Sequence, residues 1–257
     1  MLLVCDIGNS NIVFGLYDGD ELAAHWRLTS RLNATVDEYL VMMGTLLDRF
    51  NAERPVHSVI VSSVVPPLTQ KITEVLQELV SLYPLIVGPG VRTGLDIQYD
   101  DPREVGADRI VNAVGALTRH EPPLIIIDFG TATTFDVVLP PNIYLGGAIV
   151  PGLTISRDAL VERTALLPKV EMRAVERVVG RNTADSIRSG LYMGTGALVD
   201  GLVDMICEEQ GIDPTVIATG GLAMLIRGAS SRIEHVEADL TLWGLREVWL
   251  KNRNEAR

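Results

Sequence analysis

Apolar residues recur along this chain in two rhythms, and the points where one gives way to the other mark out the elements. Leu124 to Leu139, LIIIDFGTATTFDVVL, is the clearest stretch. An apolar run ending in an aspartate, a Gly-Thr-Ala-Thr-Thr turn and a second β-rich run predict a strand, a tight turn and an antiparallel strand. Leu3 to Tyr17, LVCDIGNSNIVFGLY, has the same form and aligns with Ile125 to Leu139, placing Asp6 on Asp128, Gly8 on Gly130, Asn9 on Thr131 and Asn11 on Thr133. A repeat of about half the chain implies duplicated lobes, each supplying one turn to a shared cleft. The expected division is residues 1–118 and 119–257.

Around these hairpins, strands alternate with helical patterns, which predicts an α/β fold. Glu21 to Thr29 adds a third strand after the Asp18-Gly19-Asp20 turn. Thr35 and Glu38 form a capping box, and Val36, Leu40, Met43, Leu47 and Phe50 follow as a core-facing helical stripe. Ser58 to Val65 reads as a strand, Pro67 to Leu82 as a helix, Pro84 to Val87 as a short strand and Ala107 to Thr118 as a helix. In the second half Ile143 to Pro151 follows the hairpin, and its Gly146 and Gly147 permit close approach of ligand or backbone. A helix begins near Thr154, and a long one runs from Ala184 to Gln210 with Thr183 at its N-cap. Gly190, Gly194 and Gly201 give the long helix a smooth face on which another helix or subunit can pack. Thr215 to Gly221 is a buried strand ending in a glycine turn suited to a nucleotide base or ribose edge, and a last helix from Leu240 to about Lys251 completes the lobe.

The two turns carry the candidate chemistry. Gly130 lets backbone approach a ligand, while amide N–H groups and the oxygens of Thr131, Thr133 and Thr134 can hold phosphate. Asp128 at the mouth of such a turn calls for a cation, because a carboxylate beside a phosphate is otherwise unfavourable. Gly and Thr are also ordinary hairpin residues, and the structural reading stands beside the functional one. Thr93 to Arg109, TGLDIQYDDPREVGADR, is a polar stretch long enough to be a substrate loop. It leads into a helix whose first turn holds Asp108, where the helix dipole favours the charged carboxylate. An Asp there also serves as a favourable end residue and nothing more.

Composition narrows the classes. The chain has 257 residues, 47% hydrophobic and 5% aromatic, with a net charge of -11. That length accommodates two cores, and that charge repels a nucleic-acid backbone. Lysine is limited to Lys71, Lys169 and Lys251, none in a GxxxxGK[ST] loop, so a Walker-type NTPase is excluded. HExxH, GxSxG and GxGxxG segments do not occur, and His25, His57, His120 and His235 are scattered without spaced partners. Cys5 and Cys207 read as buried reduced thiols. With no apolar stretch of membrane-span length and no basic, cleavable leader, the expectation is a soluble cytoplasmic protein.

DIGNSN at Asp6 to Asn11, TGLDIQYDDPREVGADRIVNAV at Thr93 to Val114, DFGTATT at Asp128 to Thr134, GGAIVPG at Gly146 to Gly152 and TGG at Thr219 to Gly221 together resemble the type III pantothenate kinase family over nearly the whole chain. Ser10 stands where that family often has Thr, and the hydroxyl is kept. The resemblance implies the superfold shared by acetate and sugar kinases, heat-shock chaperones and actin: duplicated ribonuclease-H-like lobes with mixed sheets flanked by helices, as a homodimer. It also implies ATP-dependent phosphorylation of the 4′-hydroxyl of pantothenate, the first step of coenzyme A synthesis. On the matching positions, the ATP-phosphate segment is Asp6, Ile7, Gly8, Asn9, Ser10, Asn11, Ile12 and Val13, with Thr131 from the second turn. The general base is Asp108, the monovalent-cation ligand, for potassium or ammonium, is Asp128, and the pantothenate contacts are Tyr99, Gly106, Ala107, Asp108, Arg109 and Thr183. Asp6 is the candidate for Mg²⁺, directly or through water. Two readings compete with this one: another small-molecule kinase on the same fold, and a non-enzymatic regulatory relative.

Overall fold

The computed structural model describes residues 1–50 and 55–253. In chain order it contains β1 (Leu2–Ile7), β2 (Asn11–Asp18), β3 (Glu21–Thr29), α1 (Val36–Phe50), β4 (Ser58–Ser63), α2 (Pro66–Val80), β5 (Leu85–Ile86), β6 (Asp96–Ile97), a 3-10 turn (Pro102–Glu104) and α3 (Ala107–Ala116). There follow β7 (Leu124–Phe129), β8 (Ala132–Leu139), β9 (Ile143–Pro151), α4 (Leu153–Glu162), α5 (Thr183–Gln210), β10 (Thr215–Thr219), α6 (Ala223–Arg227), β11 (His235–Val236) and α7 (Leu240–Asn252). These elements form two compact units that are not consecutive halves. One comprises Met1–Leu95, Asp100–Gly115 and the chain from Leu240, and the other Asp96–Tyr99 and Ala116–Asp239.

The first unit is a five-stranded sheet in the order β3-β2-β1-β4-β5, in which β1 pairs antiparallel with β2 and parallel with β4. Apart from Asp6 near its end, β1 is apolar because both faces are covered. Leu3, Cys5 and Ile7 join the core formed with α1 and α2, whereas Leu2 and Val4 join Val111, Val114, Leu242 and Leu245 of α3 and α7. The last helix therefore packs on the first sheet and does not complete the second lobe as expected. Glycines let α3 and α7 cross closely: a Cβ on Gly115 would stand 2.6 Å from the carbonyl oxygen of Leu240, and one on Gly244 would collide with that of Val111. The capping box of α1 is present, with the Thr35 N–H donating to Glu38 at 2.7 Å and the Glu38 N–H to the Thr35 hydroxyl at 3.2 Å. Tyr39 rather than Phe50 fills out the buried stripe beside Met43 and Leu47. Phe50 is exposed and stacks on Trp26 instead, with ring centroids 5.5 Å apart.

The second unit repeats the plan in a sheet of order β11-β10-β7-β8-β9-β6. β7, β8, β9, β10 and β11 correspond to β1, β2, β3, β4 and β5, and β6, paired parallel to β9, has no counterpart. Ladder registers correct the ungapped alignment of the repeats. Ile7 pairs with Ile12 but Phe129 pairs with Thr133, so the first turn is one residue longer and Asn11 corresponds to Ala132. Past the turn, Gly15 (opposite Val4) therefore matches Asp136 (opposite Ile126), and the bulges at Leu16/Tyr17 and Val137/Val138 coincide.

Helix α5 also departs from expectation. Its N-cap is Asn182, whose side chain accepts from the Asp185 N–H at 2.9 Å, leaving Thr183 as the first helical residue. The glycine that meets a neighbour closely is Gly196, against the backbone of Ala229, while Gly190, Gly194 and Gly201 face open space. By length and composition α5 could cross a membrane, contrary to the sequence expectation of no such stretch. It instead buries Tyr192, Val199 and Val203 against the second core and carries Asp200, which accepts from Ser230 and Ser231.

Candidate active site

In the first unit the end of β1 presents Asp6, half-buried between Val13 of β2 and Ser62 of β4. Asn9, Ser10 and Asn11 form the exposed turn beyond it, closed by the Gly8 N–H donating to the Asn11 carbonyl at 3.0 Å. Ser30 pins this turn from outside, its hydroxyl donating to the Gly8 carbonyl at 2.6 Å and its N–H to the Ser10 carbonyl at 3.0 Å. Nothing in the sequence singled out Ser30, since one serine at a strand end has no periodic signal. Of the eight residues matched to the phosphate segment, Ile7 and Ile12 have fully buried side chains, so what they offer a ligand is backbone. Beneath the turn, burial pushes the Cys5 thiol well up, with the neighbouring Asp6 charge adding to it, and the thiol stays protonated and inert.

The same unit holds Gly106, Ala107, Asp108 and Arg109 at the start of α3. The Asp108 carboxylate folds back so that Oδ1 accepts from the Arg109 N–H at 2.8 Å. A Cβ on Gly106 would lie 2.5 Å from that oxygen, so a side chain there would displace the carboxylate from this position. Burial raises the Asp108 pKa, against the lowering effect of the Arg109 N–H and charge. The sequence-level argument from the helix dipole gave the opposite sign, because periodicity does not reveal how far this carboxyl is withdrawn from water. Arg109 itself is buried, at 6% exposure. Lysine is used structurally: Lys71 donates to the carbonyls of Leu32 and Ala34, both at 2.8 Å, and Lys169 pairs with Asp158 at 3.4 Å.

In the second unit Asp128 lies near the end of β7, between Thr134 of β8 and Thr219 of β10. Gly220, with φ +90°, is the glycine this carboxylate needs, since a side chain there would strike Asp128 Oδ1 and the backbone of Phe129. In the TGG turn the first glycine thus makes room for Asp128, while Gly221 faces open space. Gly152 plays a similar part below the Gly130-Thr131 turn, where a Cβ would collide with the Thr131 carbonyl. Of the three threonines expected to bind phosphate, Thr133 is buried at 2% exposure and Thr134 donates to Asp136 at 3.3 Å. Thr131 is half-exposed at the tip, and Thr134 is half-exposed as well. Tyr99, also in this unit, is half-buried just beyond β6, and Thr183 is exposed at the first turn of α5.

The histidines are less scattered than the sequence suggests. His120 and His235 lie with ring centroids 4.8 Å apart, and His120 Nε2 is 3.3 Å from Glu237 Oε1. Among the described residues no group of three or more His, Cys, Asp or Glu is arranged to hold a metal.

The family model described as type III pantothenate kinase matches residues 2–205. Among curated proteins, the type III pantothenate kinase of Syntrophotalea carbinolica is 50% identical over 254 residues, covering 98% of this chain and 100% of its own. That of Brevibacillus brevis is 49% identical over 255 residues, covering 99% and 100%. Among solved structures, the activator of 2-hydroxyisocaproyl-CoA dehydratase from Clostridium difficile with bound ADPNP superposes with a TM-score of 0.56 at 12% identity, covering 99% of this chain and 95% of its own. The ROK hexokinase from Thermus thermophilus gives 0.50 at 13% identity, covering 98% and 99%. These likenesses show an α/β fold of two ribonuclease-H-like lobes, the actin-like ATPase fold. At half identity across its whole length, and with the family model spanning most of it, the chain belongs to the type III pantothenate kinase family.

Proposed function

We propose that the chain transfers the γ-phosphoryl group of ATP to the 4′-hydroxyl of pantothenate, giving 4′-phosphopantothenate and ADP in the first step of coenzyme A biosynthesis. The observation that carries the chemistry is Asp108: a carboxyl at a helix start, seated over Gly106 and raised in pKa by burial, at the position the family uses as base. In its ionised form it accepts the proton of the 4′-hydroxyl as that oxygen bonds to phosphorus and the bond to the ADP oxygen breaks. The Arg109 guanidinium pairs with the pantothenate carboxylate, a charge-assisted bond made stronger by burial. Tyr99 and Thr183 contact the rest of the substrate. Asp6 to Val13 and Thr131 hold the ATP phosphates through backbone N–H groups and hydroxyls.

Mg²⁺ bound with ATP neutralises phosphate charge, and Asp6 is the residue to hold it, directly or through water. Asp128 holds potassium or ammonium, offsetting phosphate charge in a protein with three lysines, two of them occupied by carbonyls or a carboxylate. The working form is a homodimer in the cytoplasm, where Cys5 and Cys207 remain free thiols. The test is ATP-dependent phosphorylation of pantothenate, read by product mass, with Mg²⁺ and with potassium exchanged for sodium. Formation of 4′-phosphopantothenate in potassium and its loss in sodium supports substrate, reaction and cation together. No product in any salt, from protein whose fold is verified, refutes the kinase reading.

A further inference from the structure

Gly146 and Gly147 are adjacent in β9 yet are glycines for different reasons. A side chain at 147 would collide with the Phe135 backbone, so that glycine belongs to the sheet itself. At 146 the backbone has φ +125°, and the atoms nearest a hypothetical Cβ are Cδ2 and Cε2 of Tyr99, both at 3.2 Å. One edge of the Tyr99 ring therefore rests on bare glycine backbone.

The ring is delivered there by β6. Asp96 and Ile97 pair with Ile143 and Tyr144, and the Gln98 N–H donates to the Tyr144 carbonyl at 2.9 Å, ending the strap one residue before Tyr99. Tyr144 is fixed in turn, its ring fully buried and its hydroxyl donating to Asp136 Oδ1 at 2.5 Å. Asp136 stands where the first hairpin has Gly15, and among the described residues the first sheet has no strand equivalent to β6. The second sheet thus departs from the shared plan at two places, and both act on the seat of one tyrosine.

We propose that Gly146 and Tyr144 are positioning residues for pantothenate recognition, seating Tyr99 so that the depth of its ring against β9 sets the fit of the substrate. The inference rests on the reading of Tyr99 as a pantothenate contact. An added methyl at 146 moves the ring by a few tenths of an ångström or forces it to turn, and loss of the Tyr144 hydroxyl loosens the strand to which the strap is paired. Both changes act on pantothenate and its chain-modified analogues and leave ATP untouched.

The experiment compares the wild type, Gly146→Ala, Tyr144→Phe, Tyr99→Ala and the two double variants with Tyr99→Ala, measuring KM for pantothenate, KM for ATP and kcat. Gly146→Ala is expected to raise KM for pantothenate about tenfold or more, as misplacement of a positioning group does. KM for ATP should stay unchanged, and neither Gly146→Ala nor Tyr144→Phe should add to the effect once Tyr99 is alanine. Tyr144→Phe adds no atom and no backbone strain, so it carries the test if Gly146→Ala fails to fold. Equal effects of Gly146→Ala and Tyr144→Phe with and without the Tyr99 ring overturn the inference, because general strain acts in both backgrounds. So does a Tyr99→Ala defect with neither positioning variant affecting KM, and that result leaves the Tyr99 contact standing. Tyr99→Ala with a normal KM for pantothenate removes the contact and the inference together.

Discussion

Replacing Asp108 with Asn separates the chemistry of this carboxyl from its place in the fold. The amide oxygen can still accept from the Arg109 N–H, now at 2.8 Å, and Gly106 still leaves the space. What is lost is the capacity to take a proton. A positioned general base contributes about 10²–10⁴-fold, which corresponds to about 2.7–5.5 kcal/mol of barrier. In Asp108→Asn, kcat should therefore fall by at least about 10²-fold while ATP binding, measured by calorimetry, is retained. Two pH signatures accompany it. Wild-type activity should fall on the acid side as pH drops through the raised pKa of Asp108, and the variant should lack that limb. Stability should move the other way. The folded state holds the proton more tightly than the unfolded chain, so wild-type stability declines as pH rises from the ordinary carboxylate pKa through the raised one. The neutral Asn has no such window. The variant should thus gain stability relative to wild type across it and keep the gain at neutral pH, in thermal melts taken at a series of pH values. Near-normal kcat in folded Asp108→Asn would refute the assignment of the base.

Further predictions concern the scaffold. Tyr39→Phe removes the hydroxyl that accepts from the Arg31 N–H at 2.8 Å and donates to its carbonyl at 3.2 Å, and should cost about 1–2 kcal/mol in denaturant unfolding; a loss within experimental error would mean that water replaces it. Asn182→Ala deletes the cap of α5 and should cost about 1 kcal/mol, a fall of about 2–4 °C in Tm for a chain of this size. Gly190→Ala and Gly196→Ala should differ in sign. The first adds a methyl in open space on an exposed helical face and gains up to about 1 kcal/mol, whereas the second drives a Cβ into the Ala229 carbonyl and lowers Tm.

The elements were legible because burial leaves a periodic trace. β1 and β7 are apolar on both faces, and the repeat of a carboxylate before a glycine turn identified both hairpins. What the pattern could not carry was register and placement. A one-residue difference in turn length is invisible until Ile7 and Phe129 find their partners, and it moved Asp136 opposite Gly15 in the comparison. Glycines were read as smooth surface or ligand approach, and that reading did not show that Gly106 and Gly220 also leave room for the carboxylates of Asp108 and Asp128. Such pairs are set by tertiary distance, to which spacing in sequence is blind. Thr133 is buried for a related reason: alternation along β8 turns its side chain away from solvent.

The position of α7 also bears on how the protein is made. β1 is made long before α7, so the apolar face of Leu2, Val4 and Ile60, covered in part by Val111 and Val114 of α3, is completed only when Leu242, Leu245 and Val248 have been added. The second unit has every strand of its sheet by Val236, its β6 included. Synthesis therefore finishes the second unit first, and the nascent chain carries a partly open hydrophobic surface on the first sheet until α7 is made. Interrupting translation before Leu240 should leave a sticky, chaperone-bound first sheet beside a second one that is already folded.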